Sequence, residues 1–318
     1  MRVPRKRSTV CALTFTAVLW HVGPAAAAFS FVAIGDVPYR VPQQLPAFER
    51  LIVRVNEIAP AFTIHVGDIK RGGGRCGDDV YVDVLAAFNR FDQPLVYTPG
   101  DNEWTDCHRP DAGAFDPLER LEKVRRTFFA RPVSLGRGTI ALESQARDPA
   151  YARFVENTRW EREGVVFAAF HIVGSNNNLQ RDAAAVNEYV SRNAANLAWM
   201  RTTFEAARRS GAKAIVLAFQ ADPNWGFDDR EDQRSGYTDT VRALKRHIVE
   251  FGKPVLIVHG DRHRFVVDKP LYRDGRLIYN ATRLMVFGDA EVAGVLVTVD
   301  PSHADPFSFR TITAPVGP

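Results

Sequence analysis

Five short segments of this chain set polar or charged side chains directly behind apolar runs: Gly35-Asp36, Gly67-Asp68, Gly100-Asp101, Gln220 and Gly260-Asp261-Arg262-His263. A lone Gly-Asp pair is an ordinary turn. Four acids placed alike after four apolar runs, with Gln220 after a fifth, point to one convergent site. Ligands of open α/β sheets gather at the carboxyl ends of the strands. A glycine ahead of the acid lets backbones approach closely and turns the acid off the sheet edge. Carboxylates crowded at one spot repel each other unless a cation neutralises them. The chemistry implied is metal binding by oxygen donors. Each residue also has a plainer reading, the acids as turn formers and Gln220 as a group that satisfies loop backbone.

The elements that must carry these residues alternate in type. Phe29–Ile34, Phe62–Val66, Leu95–Thr98, Ala214–Phe219 and Val255–Val258 are short, β-branched and apolar, and read as buried strands. Val165–Val173 reads as a longer buried strand, closed by Gly174-Ser175 and three asparagines. Leu45, Phe48, Leu51, Ile52, Val55 and Ile58 recur at helical spacing. Helices are also expected over Val80–Phe91, Leu118–Phe129 and Ala194–Arg209, the last stopped by Gly211. In the last sixty residues Phe265–Val267, Leu277–Tyr279, Met285–Phe287 and Val292–Val299 read as successive antiparallel strands. Alternation of this kind is α/β architecture. No repeat or long linker divides the chain, and Gly72-Gly73-Gly74 reads as a mobile loop within one domain.

Composition narrows the function classes. The 318 residues are 46% hydrophobic and 25% charged, as in ordinary globular proteins. The formal charge of +4 comes from Arg2, Arg5, Lys6 and Arg7, and without them 37 basic residues face 37 acidic ones. A general nucleic-acid-binding surface is therefore not indicated. Residues 1–28 read as an export signal: that basic start, an apolar run from Val10 to Trp20, then Pro24 and four alanines ending at Ala28. The run is too short to span a membrane. Residues 29–318 would form the mature domain, secreted or periplasmic. There the remaining pair, Cys76 and Cys107, is a candidate disulfide, with two buried thiols as the alternative.

The segments Gly35-Asp36-Val37-Pro38, Gly67-Asp68-Ile69-Lys70, Gly100-Asp101-Asn102-Glu103, Phe219-Gln220-Ala221-Asp222 and Gly260-Asp261-Arg262-His263 resemble, in order and spacing, the motifs of the calcineurin-like metallophosphoesterase superfamily. The family order is Asp-x-His, Gly-Asp, Gly-Asn-His-Glu, a lone His after a strand, and Gly-His-x-His. The resemblance runs from about Phe31 to Phe265 and implies two packed mixed β-sheets flanked by helices, an αββα sandwich. It implies a pair of divalent metal ions, with Asp68 bridging, Asp36 and His263 on one ion, and Asp101, Gln220 and Asp261 on the other. Departures are specific: Pro38 stands at a usual His, Asp101 at the Asn ligand, Asn102 at the catalytic His, and Gln220 and Asp261 at His ligands.

An oxygen-dominated donor set favours Mn²⁺, Mg²⁺ or Ca²⁺ over Zn²⁺. The implied activity is metal-dependent hydrolysis of a small phosphoester, with a non-catalytic binding protein of the same fold as the alternative. Asn102 can orient a phosphate oxygen but cannot deliver a proton, so His108 is the candidate acid. Lys70, Arg71 and Arg262 adjoin the proposed ligands and are candidates to bind substrate phosphate. Glu103 and Trp104 read as supports of the site, His65 and His171 as packed histidines inside strands, and His259 as a buried histidine beside Gly260. Oligomeric state is not encoded legibly.

Overall fold

The computed structural model describes residues 1, 26–223, 225 and 234–313. The export-signal reading of residues 1–28 falls almost entirely outside them. Among the described residues no helix is long and apolar enough to cross a membrane.

In chain order the elements are β1 (Phe29–Ile34), α1 (Leu45–Ile58), β2 (Thr63–His65), α2 (Asp78–Phe88), β3 (Leu95–Tyr97), α3 (Pro117–Phe128), β4 (Glu143–Ser144), β5 (Thr158–Arg162), β6 (Val165–Ala169), α4 (Ala183–Arg209), β7 (Ala214–Ala218), α5 (Thr238–Phe251), β8 (Val255–His259), β9 (Val266–Asp268), β10 (Tyr272–Arg273), β11 (Arg276–Leu277), β12 (Ala281–Met285), β13 (Ala293–Val299) and β14 (Phe307–Thr313). A five-stranded sheet has the order β14-β13-β1-β2-β3, and a seven-stranded sheet the order β4-β5-β6-β7-β8-β12-β9.

Period-two alternation builds the sandwich. On β1, Phe31 and Ala33 join Phe167, Val216 and Val258 in a core between the sheets, while Val32 and Ile34 face Phe48, Leu51, Val84 and Val124 of α1, α2 and α3. On the other sheet Val166, Ile215, Leu217 and Ile257 face Trp199, Phe204, Leu244 and Ile248 of α4 and α5. The layers are therefore helix, sheet, sheet, helix, as the resemblance implied. Strands covered on both faces explain the unbroken apolar runs of β6, β7 and β8.

β1, β2 and β3 pair in parallel, so their following Gly-Asp segments share one edge. β6, β7, β8 and β12 are likewise parallel, and bring Gln220 and Gly260–His263 to an edge facing the first.

Several sequence expectations need correction. β12 runs parallel to β8 and only its β9 side is antiparallel, so the C-terminal strands are not a simple antiparallel succession. The strand expected to reach Val173 stops at Ala169, because Phe170–Val173 turn off the sheet edge into the site. The helix expected from Ala194 begins at Ala183, where the Asp182 carboxylate accepts the Ala185 N–H at 2.7 Å. The edge strands β4 and β14, and β5 beside β4, were not legible from alternation.

Candidate metal centre

Asp36, Asp68, Asp261 and His263 all adopt the left-handed backbone region, with φ of 54°, 57°, 79° and 55°. That conformation costs a non-glycine residue of order 1 kcal/mol and collects at functional sites. The glycines before the acids make room for carboxylates from neighbouring loops. A methyl group on Gly100 would overlap Asp68 Oδ1, and one on Gly260 would overlap Asp36 Oδ2.

The side chains converge. Asp36, Asp68 and His263 offer ligand atoms within 4.8 Å of one another, and Asp68, Asp101 and Asp261 do the same. Asp68 belongs to both sets. Asp36 and Asp68 are almost fully buried, and Asp101 is 6% exposed. Burial is the main force pushing all three carboxyls above the usual range, and neighbouring acids add to it: Asp101 and Asp36 act on Asp68, and Asp106 and Asp261 on Asp101. His263 lies 3.4 Å from Asp36 Oδ1, which raises its imidazole pKa. Asp101 Oδ1 is buried with no hydrogen-bond partner among the described residues. Mutually repelling buried carboxylates, one of them with an orphaned oxygen, fit divalent cations.

Surrounding groups hold these donors in place. Asn102 donates to both oxygens of Asp68, from its backbone N at 3.2 Å and from Nδ2 at 2.8 Å. Glu103 Oε1 accepts from Tyr97 Oη and Gly100 N, each at 2.6 Å, and from Asp68 N at 3.3 Å, so it supports the site as expected. The Asp261 N–H donates to Asp36 at 3.2 Å, which locks the two sheet edges together. Gly174–Asn178 form a left-handed turn that presents Ser175 Oγ 2.8 Å from Asp101 Oδ2 and 3.1 Å from Asp106 Oδ1. The buried guanidinium of Arg192 pins that turn through Asn177 Oδ1 at 2.6 Å and Asn177 O at 3.0 Å.

The other candidates make different contacts. Gln220 Oε1 accepts the Gly174 N–H at 2.5 Å and its Nε2 donates to Asp68 Oδ2 at 3.2 Å, an arrangement that positions Asp68. His108 is exposed, its Nδ1 2.7 Å from Thr105 O, and it makes no hydrogen bond to Asp36, Asp68 or Asp101. Lys70 commits its ammonium to backbone rather than leaving it free for a phosphate. It is 1% exposed, and its Nζ donates to Asn102 O at 2.5 Å and Arg71 O at 2.9 Å. Arg71 is exposed, and Arg262, also exposed, has Nε 3.4 Å from Asp222. His259 is a buried core histidine, its pKa lowered to about 3 by burial. His171 is buried too, but past the end of β6, with Nδ1 2.8 Å from Glu156. Cys76 and Cys107 form a disulfide with Cα atoms 5.7 Å apart.

Sequence reading passed over Tyr39, Asp106 and the contacts of Ser175. Tyr39 packs edge-on against the His263 ring at 4.5 Å, and its Oη lies 3.3 Å from Asn102 Nδ2. Its only sequence signal was nearness to Asp36.

A family profile described as calcineurin-like phosphoesterase matches residues 29–265. The chain belongs to this family. Among solved structures it is similar in fold to a dimetal phosphatase from Danio rerio (TM-score 0.51, 11% identity, covering 90% of this chain and 99% of the other). It is also similar to a purple acid phosphatase from yellow lupin seeds (TM-score 0.54, 11% identity), covering 91% of this chain and 54% of that enzyme. No curated protein sequence matches it significantly. At such identities the neighbours establish the fold. Family membership carries metal-dependent phosphoester chemistry in general terms, with dinuclear metal centres.

Proposed function

We propose that this phosphoesterase-family chain hydrolyses phosphoesters with two divalent cations, one held by Asp36 and His263, the other by Asp101 and Asp261, with Asp68 shared. The observation that carries the reading is the membership of Asp68 in both close-packed donor sets. Divalent cations at such a site neutralise phosphoryl charge and lower the pKa of water.

The chain's own residues supply placement. Asn102 fixes both Asp68 oxygens, Gln220 restrains one of them, and Ser175 orients Asp101. A carboxamide is not acidic enough to give up a proton, so Asn102 leaves the departing oxygen without an acid, and His108 turns its Nδ1 to Thr105 O and hydrogen-bonds none of Asp36, Asp68 and Asp101. Esters with good leaving groups are therefore the preferred test substrates. A donor set of four carboxylates and one imidazole favours Mn²⁺, Mg²⁺ or Ca²⁺ over Zn²⁺. The disulfide is compatible with an exported protein, secreted or periplasmic.

The test is metal analysis of the purified protein, with turnover of bis-p-nitrophenyl phosphate in Mn²⁺ by wild type and Asp68→Asn. Wild type should hold about two ions and turn over. Asp68→Asn should lose metal and at least about three orders of magnitude in rate. Full metal occupancy without turnover on any ester would overturn the enzymatic reading and leave a binding role for the fold.

A further inference from the structure

Beside the carboxylate cluster lies a groove of about 450 Å³, lined by Tyr39, Arg40, Lys70, Arg71, Arg75 and Asp111 among others. Two of its walls also belong to the site. Tyr39 Oη meets Asn102 Nδ2, and Lys70 Nζ donates to Asn102 O. Asn102 in turn holds Asp68, so the groove begins one side chain away from the shared carboxylate.

Its charge is one-sided. Among the described residues Asp111 is the single acidic one lining it, against Arg40, Arg71, Arg75 and the buried Lys70. Arg40 pairs with Asp289 at 2.9 Å, and Arg75 has a looser contact with Asp79 at 3.5 Å, both side chains about two-thirds exposed. Arg71 makes no side-chain hydrogen bond or ion pair among the described residues.

The segment carrying Lys70, Arg71 and Arg75, which includes Gly72-Gly73-Gly74, is tied into the fold by backbone hydrogen bonds. Arg71 N donates to Tyr39 O at 2.6 Å, Gly74 N to Arg71 O at 2.8 Å and Cys76 N to Ala112 O at 3.0 Å. The Cys76–Cys107 bond then fastens it to the turn after Asn102. A guanidinium on fixed backbone with no ion-pair partner among the described residues is preorganised to take an anion.

We propose that this groove binds a second anionic group of the substrate, so that the preferred substrates are small phosphoesters carrying a further phosphate or carboxylate. The inference rests on the phosphoesterase reading for the role of the neighbouring cluster, but the anion site can be read without turnover. Titration calorimetry on the manganese-loaded protein would compare alkane diphosphonates of two to five carbons with the matching alkyl monophosphonates. A charge-assisted bond to Arg71 predicts a preference of about tenfold for the best diphosphonate. In Arg71→Met that ratio should fall to about one. Phosphonocarboxylates of equal length tell which second anion fits. A ratio near one in wild type, or one unaltered by Arg71→Met, overturns the proposal. Should no ester be hydrolysed while the ratio and its loss are observed, the enzymatic reading fails and the anion groove stands.

Discussion

His65 supplies a test of how the two ligand loops are held together. Its ring is fully buried, with Nε2 2.5 Å from Val37 O and Nδ1 accepting the Gly67 N–H at 3.2 Å. Val37 follows Asp36 and Gly67 precedes Asp68, so one imidazole ties both loops. Only the neutral ring, protonated at Nε2, can serve both partners. Burial lowers its pKa from 6.5 to about 4, against a smaller opposing pull from the Val37 carbonyl. The unfolded chain then takes up this proton first as pH falls. The stability contributed is complete above about pH 6.5 and is lost as pH drops toward 4. A difference of about 2.5 pH units is worth about 3.4 kcal/mol, of which about 1.4 kcal/mol has gone by pH 5.5. The perturbation is His65→Gln, which cannot titrate, and the assay is urea unfolding at pH 7.5, 6.5 and 5.5. The variant is less stable at pH 7.5, and the gap to wild type should narrow by about 1.4 kcal/mol at pH 5.5. Buried His171 and His259 titrate in both proteins and cancel. Parallel pH profiles for the two proteins would refute the reasoning.

Three more outcomes are expected. Removing the disulfide in a Cys76→Ala/Cys107→Ala protein frees a loop of sequence separation 31 and should cost roughly 3.5 kcal/mol in denaturant unfolding, so a loss under about 1 kcal/mol would contradict it. Glu103→Ala strips the acceptor from Gly100 N, Asp68 N and Tyr97 Oη and should destabilise by about 3 kcal/mol or more, while Glu103→Gln, which keeps an acceptor oxygen, recovers much of that. Calorimetric titration of metal-free protein should find manganese bound at least as tightly as zinc, and zinc tighter by a wide margin would exclude the oxygen-donor argument.

The layered fold was legible because its central strands are covered on both faces. Burial there demands apolar runs such as Ala214–Ala218 and Val255–His259, which stand out in any reading. The edge strand β4 and its neighbour β5 hold Glu143 and Arg159 in an ion pair at 2.6 Å, and charged residues so placed leave little alternation to detect. The pairing direction of β12 was hidden as well, since an apolar strand accepts either neighbour orientation.

At the site, order along the chain was enough to nominate Asp36, Asp68, Asp101, Asp261 and His263, because each closes a strand whose end must lie at a sheet edge. Roles that depend on which atom faces which were decided in three dimensions. Gln220 turned its amide to Asp68 and its oxygen to Gly174, Lys70 spent its ammonium on two carbonyls, and Tyr39 crossed from the first loop to the His263 ring. The physical reason is range. Strand burial and turn chemistry act between near neighbours in sequence, whereas Asp36 and Asp261 meet across 225 residues only when two sheets have closed upon one core.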